Sequence, residues 1–212
     1  MSSAIPIGEL AVLEVRVNNM AIKAIIFDCF GVLIKSGHNL LRQDFPELKS
    51  FVDELQAKSD LGVLTRQEFN QSISDRTSLS AVEIDERYWG TNKYDYQVVE
   101  LAENLKSTGD YRIGLLSNIS RDWMPDILLF FDEKKLFDEI LLSGDVNVVK
   151  PNPQIFEMMA SKLNLAPEEC VMIDDVASNV NGARTAGMHG IVFFSASQTK
   201  EDLNSLLLLN HA

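Results

Sequence analysis

The chain has 212 residues, of which 46% are hydrophobic and 24% are charged. This composition is that of an ordinary globular protein, long enough for one large domain or for a core domain that carries an insertion. Acidic residues outnumber basic residues 31 to 19, and the formal net charge is −12. Because phosphate backbones and anionic lipid surfaces repel such a charge, we expect neither a nucleic acid nor a membrane as a partner.

The cysteine content and the N-terminal segment indicate a compartment. Cys29 and Cys170 both lie in apolar runs, which excludes a disulfide framework and a zinc site built from cysteines. No apolar stretch approaches the length of a membrane span, and Glu9 and Glu14 interrupt the segment where a signal peptide would be apolar. We therefore expect a cytoplasmic protein, and the sequence leaves its oligomeric state open.

Residues 1–20 differ from the rest of the chain. Apolar and charged residues alternate between Leu13 and Val17, a pattern typical of a strand. No neighbouring segment offers an obvious partner for such a strand. We assign this stretch as an N-terminal extension and place no function there.

Five short apolar runs predict buried β-strands, at residues 21–27, 111–116, 139–142, 170–173 and 190–194. Helical patterns separate most of these runs, at residues 95–107, from 153 onward, and at 178–186. A further helix is predicted at residues 200–209. Strands that alternate with helices predict an α/β fold with a doubly wound parallel sheet.

The first two predicted strands are separated by roughly eighty residues, far more than one crossover helix requires. Apolar residues recur at three- and four-residue spacing between Leu41 and Leu55, as in a helix. Two capping boxes predict further helix starts, Thr65 with Glu68 and Ser80 with Glu83. The sequence thus predicts a helical cap at residues 36–93, inserted into an α/β core of residues 21–35 and 94–212.

Residues that can carry chemistry follow the predicted strands. They are Asp28 after the first strand, Ser117 and Asn118 after the second, Lys150 beyond the third, and Asp174 with Asp175 after the fourth. In open parallel sheets, ligands bind beyond the carboxyl ends of the strands. We therefore expect three carboxylates, one ammonium, one hydroxyl and one amide at a single edge.

This set of groups favours phosphoryl transfer. Carboxylates brought together repel each other unless a cation intervenes, and Mg²⁺ typically binds one or two carboxylates together with a substrate phosphate. Asp28 at a strand tip is placed to attack phosphorus and form an acyl phosphate. Lys150 would neutralise charge on Asp28 and on the transferring group, while Ser117 would hold phosphoryl oxygens.

Four short segments around these residues resemble the four motifs of the haloacid dehalogenase-like hydrolase superfamily. They are Phe-Asp-Cys-Phe-Gly-Val at 27–32, Leu-Ser-Asn at 116–118, Lys-Pro at 150–151, and Ile-Asp-Asp at 173–175 followed by Asn179. One motif alone would be weak, but all four occur in order, each after a predicted strand. The helical insertion resembles the cap that subfamily I places after motif one.

The resemblance implies roles for these residues. It implies two catalytic residues and a phosphate site, with Asp28 as nucleophile, Lys150 as charge stabiliser, and Ser117 with Asn118 on the phosphate. It also implies a Mg²⁺ cofactor that is bound by Asp28, the backbone carbonyl of Phe30 and Asp175. Asp174 lies close by as a possible further ligand. The implied reaction is hydrolysis of a small phosphorylated metabolite through an aspartyl-phosphate.

Phe30 departs from the pattern of the family's phosphatases. Two residues after the nucleophile, they usually carry a second aspartate that protonates the leaving alkoxide and later activates water. General acid–base catalysis is typically worth about 10²- to 10⁴-fold in rate. We therefore expect slow hydrolysis of alkyl phosphates and a smaller penalty for acyl and aryl phosphates.

Two alternatives stay open at this point. An aromatic residue at position 30 is also what the 2-haloacid dehalogenases carry, in which Asp28 would displace halide without a metal. Those enzymes place a serine ahead of a later acid at motif four, whereas here Asp174 and Asp175 form a compact pair. The other alternative is a catalytically weak or inactive protein that keeps the metal and phosphate site.

For several residues near the motifs we favour a structural role. Asn179 is expected to bond the motif-four loop, and Cys29 is expected to be a packed core thiol because neighbouring side chains of an extended chain point apart. His38 is interpreted as a solvated hinge residue rather than a proton donor. For residues 121–123, packing or exposure is favoured over lining the cleft.

Overall fold

A computed structural model describes residues 21–35, 38–90, 93–133 and 135–209. The N-terminal extension and its strand prediction lie outside these residues, as does the side chain of His38. Among the helices of the described ranges, none combines the length and the apolar character needed to cross a membrane.

The described residues form seven strands: β1 (Ala24–Phe27), β2 (Ile34–Lys35), β3 (Lys93–Tyr94), β4 (Arg112–Ser117), β5 (Glu139–Leu142), β6 (Cys170–Asp174) and β7 (His189–Val192). Five of them form one parallel sheet in the order β5-β4-β1-β6-β7. Within the described residues, the first strand, β1, is central, and the later strands extend the sheet to both sides. This is the predicted doubly wound α/β fold.

Strand β1 is central because its sequence suits burial on both faces. All four of its residues are buried, and Ile25 lies opposite Ile113 on β4 and Val171 on β6. A continuous apolar run of this kind is typical of a parallel strand covered by helices on both sides. Asp28 follows directly and continues the ladder, with its N–H donating to the carbonyl of Ile173 at 2.9 Å.

The helices of the described residues are α1 (His38–Asp44), α2 (Lys49–Asp60), α3 (Arg66–Ser74), α4 (Ala81–Ile84), α5 (Tyr96–Ser107), α6 (Pro125–Glu133), α7 (Ser143–Val146), α8 (Pro153–Lys162), α9 (Ala177–Thr185) and α10 (Ala196–Leu209). They cover both faces of the sheet. Ile25 and Phe27 pack in one core cluster with residues of α5, α6 and α10. Ala24 and Ile26 point the other way, into a second cluster with residues of α8 and α9.

Helix starts follow the capping signals of the sequence. At α3, Glu68 N–H donates to Thr65 Oγ1 and Thr65 N–H donates to Glu68 Oε2, and α4 repeats the arrangement at its own predicted capping box. Helix α10 begins four residues earlier than predicted. Ser195 explains the difference, because its Oγ accepts a hydrogen bond from the N–H of Gln198 and so caps the helix.

The long connection from β2 to β3 holds helices α1 to α4. Its ends meet in a small antiparallel ribbon that pairs Ile34 with Tyr94. The apolar pattern predicted between Leu41 and Leu55 is divided between α1 and α2, separated by a 3₁₀ turn at Pro46–Leu48. A π-helical turn, Asp85–Trp89, follows α4. The division of the chain into cap and core stays a prediction.

Candidate active site

The motif residues meet at the carboxyl edge of the sheet, where they line a cavity of about 530 Å³. The residues of the four motifs that line it are Asp28, Phe30, Gly31, Ser117, Asn118, Lys150, Asp175 and Asn179. Parallel strands end at the same edge, so segments far apart in sequence converge there. The predicted site residues are thus brought together, and Asp174 joins them through its contact with Lys150.

Asp28 is the carboxylate at the tip of the central strand. Its side chain is 7% exposed, and Oδ1 accepts a hydrogen bond from the N–H of Cys29 at 2.7 Å. Burial raises the pKa of Asp28 to about 7, against the attraction of Lys150 and with an added contribution from the charge of Asp174. The chain turns away at once, with Gly31 at a φ of +94°.

Lys150 bridges the two buried carboxylates. Its Nζ lies 2.8 Å from Asp28 Oδ1 and 2.6 Å from Asp174 Oδ2, and it donates to the carbonyl of Leu116 at 3.1 Å. Burial alone would lower the pKa of Lys150, but Asp28 and Asp174 outweigh burial and raise it. The ammonium therefore stays charged beside the candidate nucleophile.

Asn118 holds the backbone of Lys150 with both atoms of its amide. Nδ2 donates to the carbonyl of Lys150 at 2.9 Å, and Oδ1 accepts from its N–H at 2.8 Å. The side chain therefore ties the loop after β4 to the segment between α7 and α8. Asn118 lines the cavity, but both polar atoms of its amide are already bonded to the backbone of Lys150. Phosphate binding by Asn118 therefore stays a prediction. Ser117 lines the same wall and is buried.

Asp174 is fully buried and bonded on both oxygens. Oδ1 accepts from the N–H of Val176 and from Asn179 Nδ2, while Oδ2 accepts from Asn179 and from Lys150. The expectation that Asn179 bonds the motif-four loop is confirmed. With its oxygens held by protein groups, Asp174 orients Lys150.

Asp175 lies directly against Gly31. A Cβ atom at position 31 would be only 2.2 Å from Asp175 Oδ2, so the close approach requires glycine there. One oxygen each from Asp28, Asp174 and Asp175 lies within 4.8 Å of the others. Burial, followed by the charge of Asp174, raises the pKa of Asp175.

The donor set fits a hard divalent cation. Asp28, Asp174 and Asp175 lie close together, and the ammonium of Lys150 contacts the first two, so these four groups together carry an excess of two negative charges when all are ionised. Mg²⁺ binds oxygen ligands and typically takes one or two carboxylates from the protein. Since Asp174 is bonded to protein groups, the residues that would hold the ion are Asp28, Asp175 and the carbonyl of Phe30.

Sequence reasoning missed the wall that the β2–β3 connection contributes. Gln56 and Asp60 of α2 line the cavity, as does Trp89 of the π-helical turn. Gln56 and Asp60 are four residues apart and so share one face of α2. In the sequence, the one signal that this face of α2 points inward is the spacing of Gln56 and Asp60 relative to the apolar Val52 and Leu55, which are buried.

Trp123 is both a packing residue and a cavity residue. Its ring makes edge-to-face contacts with Trp89, at a centroid distance of 4.6 Å, and with Phe69, at 5.1 Å. It also lines the cavity, which corrects the preference for a packing role alone. Among the described residues, its buried Nε1 has no hydrogen-bond partner.

Cys29 is fully buried in the core. Burial raises the pKa of its thiol well above the ordinary value, and the charge of Asp28 adds to the effect. The thiol is therefore neutral and inert. The interpretation of Cys29 as a packed core thiol is confirmed.

A model of the haloacid dehalogenase-like hydrolase family matches residues 22–187, which include all four motifs. The chain belongs to this family. As a member, it is a hydrolase of the haloacid dehalogenase-like type. The earlier resemblance is confirmed, while the assignment to the subfamily with a cap after motif one stays a prediction.

Named relatives of this haloacid dehalogenase-like hydrolase differ in how much of their length they share with it. Pyrophosphatase PpaX of Bacillus cereus (strain ATCC 10987 / NRS 248) is 23% identical over 176 residues, which cover 79% of this chain and 81% of PpaX. Drimenol cyclase drtB of Aspergillus calidoustus is 26% identical over 158 residues. Those residues are 72% of this chain but only 30% of the cyclase, so the chain matches less than a third of that relative.

Solved structures of the family share the fold. A HAD family enzyme of Bacteroides thetaiotaomicron, crystallised as a complex with magnesium and inorganic phosphate, superposes with a TM-score of 0.64 at 23% identity. The match covers 81% of this chain and 93% of that enzyme. At this level of identity the likeness establishes the fold.

Proposed function

We propose that this hydrolase is a Mg²⁺-dependent phosphatase that acts on a small phosphorylated metabolite through an aspartyl-phosphate on Asp28. The observation that carries the proposal is the buried Asp28–Lys150 pair, which shares a cavity with Asp175. The name of PpaX, a pyrophosphatase, and the magnesium and phosphate in the Bacteroides enzyme agree with this chemistry.

In the first half-reaction, a carboxylate oxygen of Asp28 attacks phosphorus and the bond from phosphorus to the leaving oxygen breaks. Lys150 holds Asp28 in place and offsets the charge that collects on the phosphoryl oxygens, because its Nζ is fixed by Asp174 and by the carbonyl of Leu116. Ser117, which lines the cavity, donates its hydroxyl to a phosphoryl oxygen. When bound, Mg²⁺ supplies positive charge that offsets the charge of the phosphate.

In the second half-reaction, water attacks the phosphorus of the aspartyl-phosphate, and the bond from phosphorus to the Asp28 oxygen breaks. Inorganic phosphate leaves and the Asp28 carboxylate is regenerated. Lys150 stabilises that carboxylate as it reforms. The side chain of Phe30 has no proton to give or take in either half-reaction.

The charge of the cluster favours this function over a metal-free dehalogenase. In a dehalogenase, a carboxylate oxygen of Asp28 attacks the carbon that carries the halogen, and no cation is needed. When Asp28, Asp174 and Asp175 are all ionised, the ammonium of Lys150 offsets only one of their three negative charges, which favours a site that also binds a cation. Turnover, by contrast, is what separates the phosphatase from an inactive protein that keeps the same site.

The proposal is tested by phosphate release from acetyl phosphate and p-nitrophenyl phosphate, with and without Mg²⁺. We expect metal-dependent release by the wild type and a rate for Asp28→Asn below about one-thousandth of it. Glu157→Gln is the matched control, since Glu157 is an exposed carboxylate on α8. It should retain wild-type rates.

Absence of release from either substrate by the folded wild type would refute the phosphatase. Release that is equal in the presence of a chelator would refute the metal requirement. Halide release from 2-haloacids would then be measured, because Asp28 is also the nucleophile of that alternative.

A further inference from the structure

Two polar side chains of α2 face the cavity, and the mechanism above does not use them. Gln56 Nε2 donates to Asp60 Oδ1 at 2.7 Å, and both residues line the cavity with Asp28 and Lys150. Gln56 Oε1 is buried without a hydrogen-bond partner among the described residues. Gln56 therefore holds the Asp60 carboxyl in a defined position in the wall of the cavity that Asp28 and Lys150 also line.

The end of α2 that carries Asp60 is fixed to the sheet domain. Ser120, in the loop after β4, donates its hydroxyl to the carbonyl of Ser59 at 2.6 Å. Ser143, the first residue of α7, donates its hydroxyl to the carbonyl of Asp60. Gly62 approaches Gly144 so closely that a Cβ on it would lie 2.7 Å from the Gly144 carbonyl. Asp60 is thus positioned by the same loops that follow the catalytic strands.

The environment of Asp60 moves the titration of its carboxyl from the acidic range towards neutral pH. Burial raises its pKa to about 6, against the lowering effects of the Gln56 hydrogen bond and of the positive charges on Lys150 and Arg42. A general acid is most effective when its pKa is near the working pH. Asp60 combines this property with a place in the cavity wall.

Phosphate ester hydrolysis needs a proton that position 30 does not supply. An alkoxide leaves poorly unless it is protonated, and the residue two after the nucleophile is Phe30. We propose that Asp60 of α2 is the general acid and base of this site. The inference depends on the proposed phosphatase function and extends it to alkyl phosphate substrates.

The proton balance of the step is complete. As the bond from phosphorus to the leaving oxygen breaks, the Asp60 carboxyl gives its proton to that oxygen, so an alcohol leaves and Asp60 becomes a carboxylate. When water attacks the aspartyl-phosphate, the Asp60 carboxylate takes up one proton of that water. The carboxyl is restored as phosphate leaves, and no further reactant is needed.

The test compares Asp60→Asn with the wild type on substrates that differ in leaving group, namely glycerol 2-phosphate and p-nitrophenyl phosphate. The substitution keeps the size of the side chain and an oxygen for Gln56, but it removes the proton that the carboxyl donates. We expect kcat/KM to fall by about 10²-fold or more on the alkyl phosphate and by less than about 3-fold on the aryl phosphate. Glu54→Gln, which changes an exposed carboxylate on the same helix, is the matched control and should alter neither value.

The outcomes separate the two proposals. Equal losses on both substrates, or no loss on either, would overturn the role of Asp60 while the phosphatase function stands. The same follows if the wild type cleaves only the aryl phosphate. Absence of all turnover in the wild type would refute the phosphatase and this inference together. Asp60→Glu, which keeps a titratable proton, should retain part of the alkyl phosphate activity and guards against a folding defect in Asp60→Asn.

Discussion

The two walls of the active-site cavity are built in different ways. On the sheet side, Asp28, Lys150 and Asp174 are each less than a tenth exposed, and Lys150 Nζ contacts both carboxylates at 2.6–2.8 Å. On the α2 side, Gln56 and Asp60 are half-buried and bonded to each other, and the buried Gln56 Oε1 has no partner among the described residues.

This difference separates the two tasks of the enzyme. The charged groups at the strand ends hold one another in place and so form a preorganised electrostatic site. Phosphoryl transfer needs such fixed charges around the reacting phosphate. Groups with unused hydrogen-bonding capacity are suited to contact a leaving group that varies between substrates. In the proposed phosphatase, the sheet side carries the chemistry common to any phosphate ester, while the α2 side contacts the leaving group.

The largest effect is expected from removing the positive charge of Lys150, which contacts both buried carboxylates of the sheet side. In Lys150→Met, Asp28 and Asp174 would face each other without a counterion. Breaking a buried pair in this way typically costs about 3–5 kcal/mol, so we expect a loss of that size in the free energy of unfolding by urea. We also expect loss of phosphatase activity, because Asp28 loses its partner.

Lys162→Met is the matched control for the preceding variant. Lys162 forms an exposed ion pair with Glu139 Oε2 at 3.1 Å, which should contribute about 1 kcal/mol or less. A Lys150→Met protein as stable as Lys162→Met would contradict the view that the sheet side is organised by one buried ammonium.

The sheet side could be predicted from the sequence, and the reason is topological. Asp28, Ser117 and Asp174 each follow an apolar run, and parallel strands must end at a common edge. The hydrogen bonds of Asn118 could not be predicted in the same way. The sequence does not indicate that Asn118 bonds the backbone of Lys150 rather than facing a ligand with its amide.

The α2 side could not be predicted, because no rule of sheet topology specifies which face of an inserted helix meets the site. In sequence, Gln56 and Asp60 look like Glu54 and Lys58, which form an exposed ion pair on the same helix. What distinguishes Asp60 is the docking of its backbone carbonyl on Ser143, a contact between residues 83 positions apart. Such a contact depends on tertiary packing alone.

A smaller effect is expected from moving the acid from one wall to the other. Phe30→Asp introduces a carboxyl on the sheet side, next to Gly31. If Asp60 is the general acid, this change should raise kcat/KM on glycerol 2-phosphate by less than about 10-fold in the wild type. In the Asp60→Asn background it should recover most of the roughly 10²-fold loss.

Phe30→Leu controls for the packing of the ring, since Phe30 contacts the main core cluster. It should show no gain in either background. Equal gains from Phe30→Asp in both backgrounds would show that positions 30 and 60 act independently and would count against Asp60 as the acid.

The smallest effect concerns the cost of keeping Asp60 in the cavity wall. Its pKa is raised from 3.8 to about 6 in the folded protein, so the folded state binds more protons than the unfolded state between these values. The resulting contribution to stability is fully present below about pH 4 and is lost as pH rises through about 6. Asp60→Asn should therefore be more stable than the wild type at about pH 8, by about 1–2 kcal/mol after allowance for partial exposure, and should lose this advantage at about pH 4.5.

Urea unfolding at the two pH values measures the difference, and Glu54→Gln should show no such gain because Lys58 lowers the pKa of Glu54. A gain in stability together with a loss of alkyl phosphate activity would show that Asp60 is retained for function, since it destabilises the fold. If the difference in the free energy of unfolding between Asp60→Asn and the wild type did not change with pH, the carboxyl of Asp60 would not be perturbed by burial.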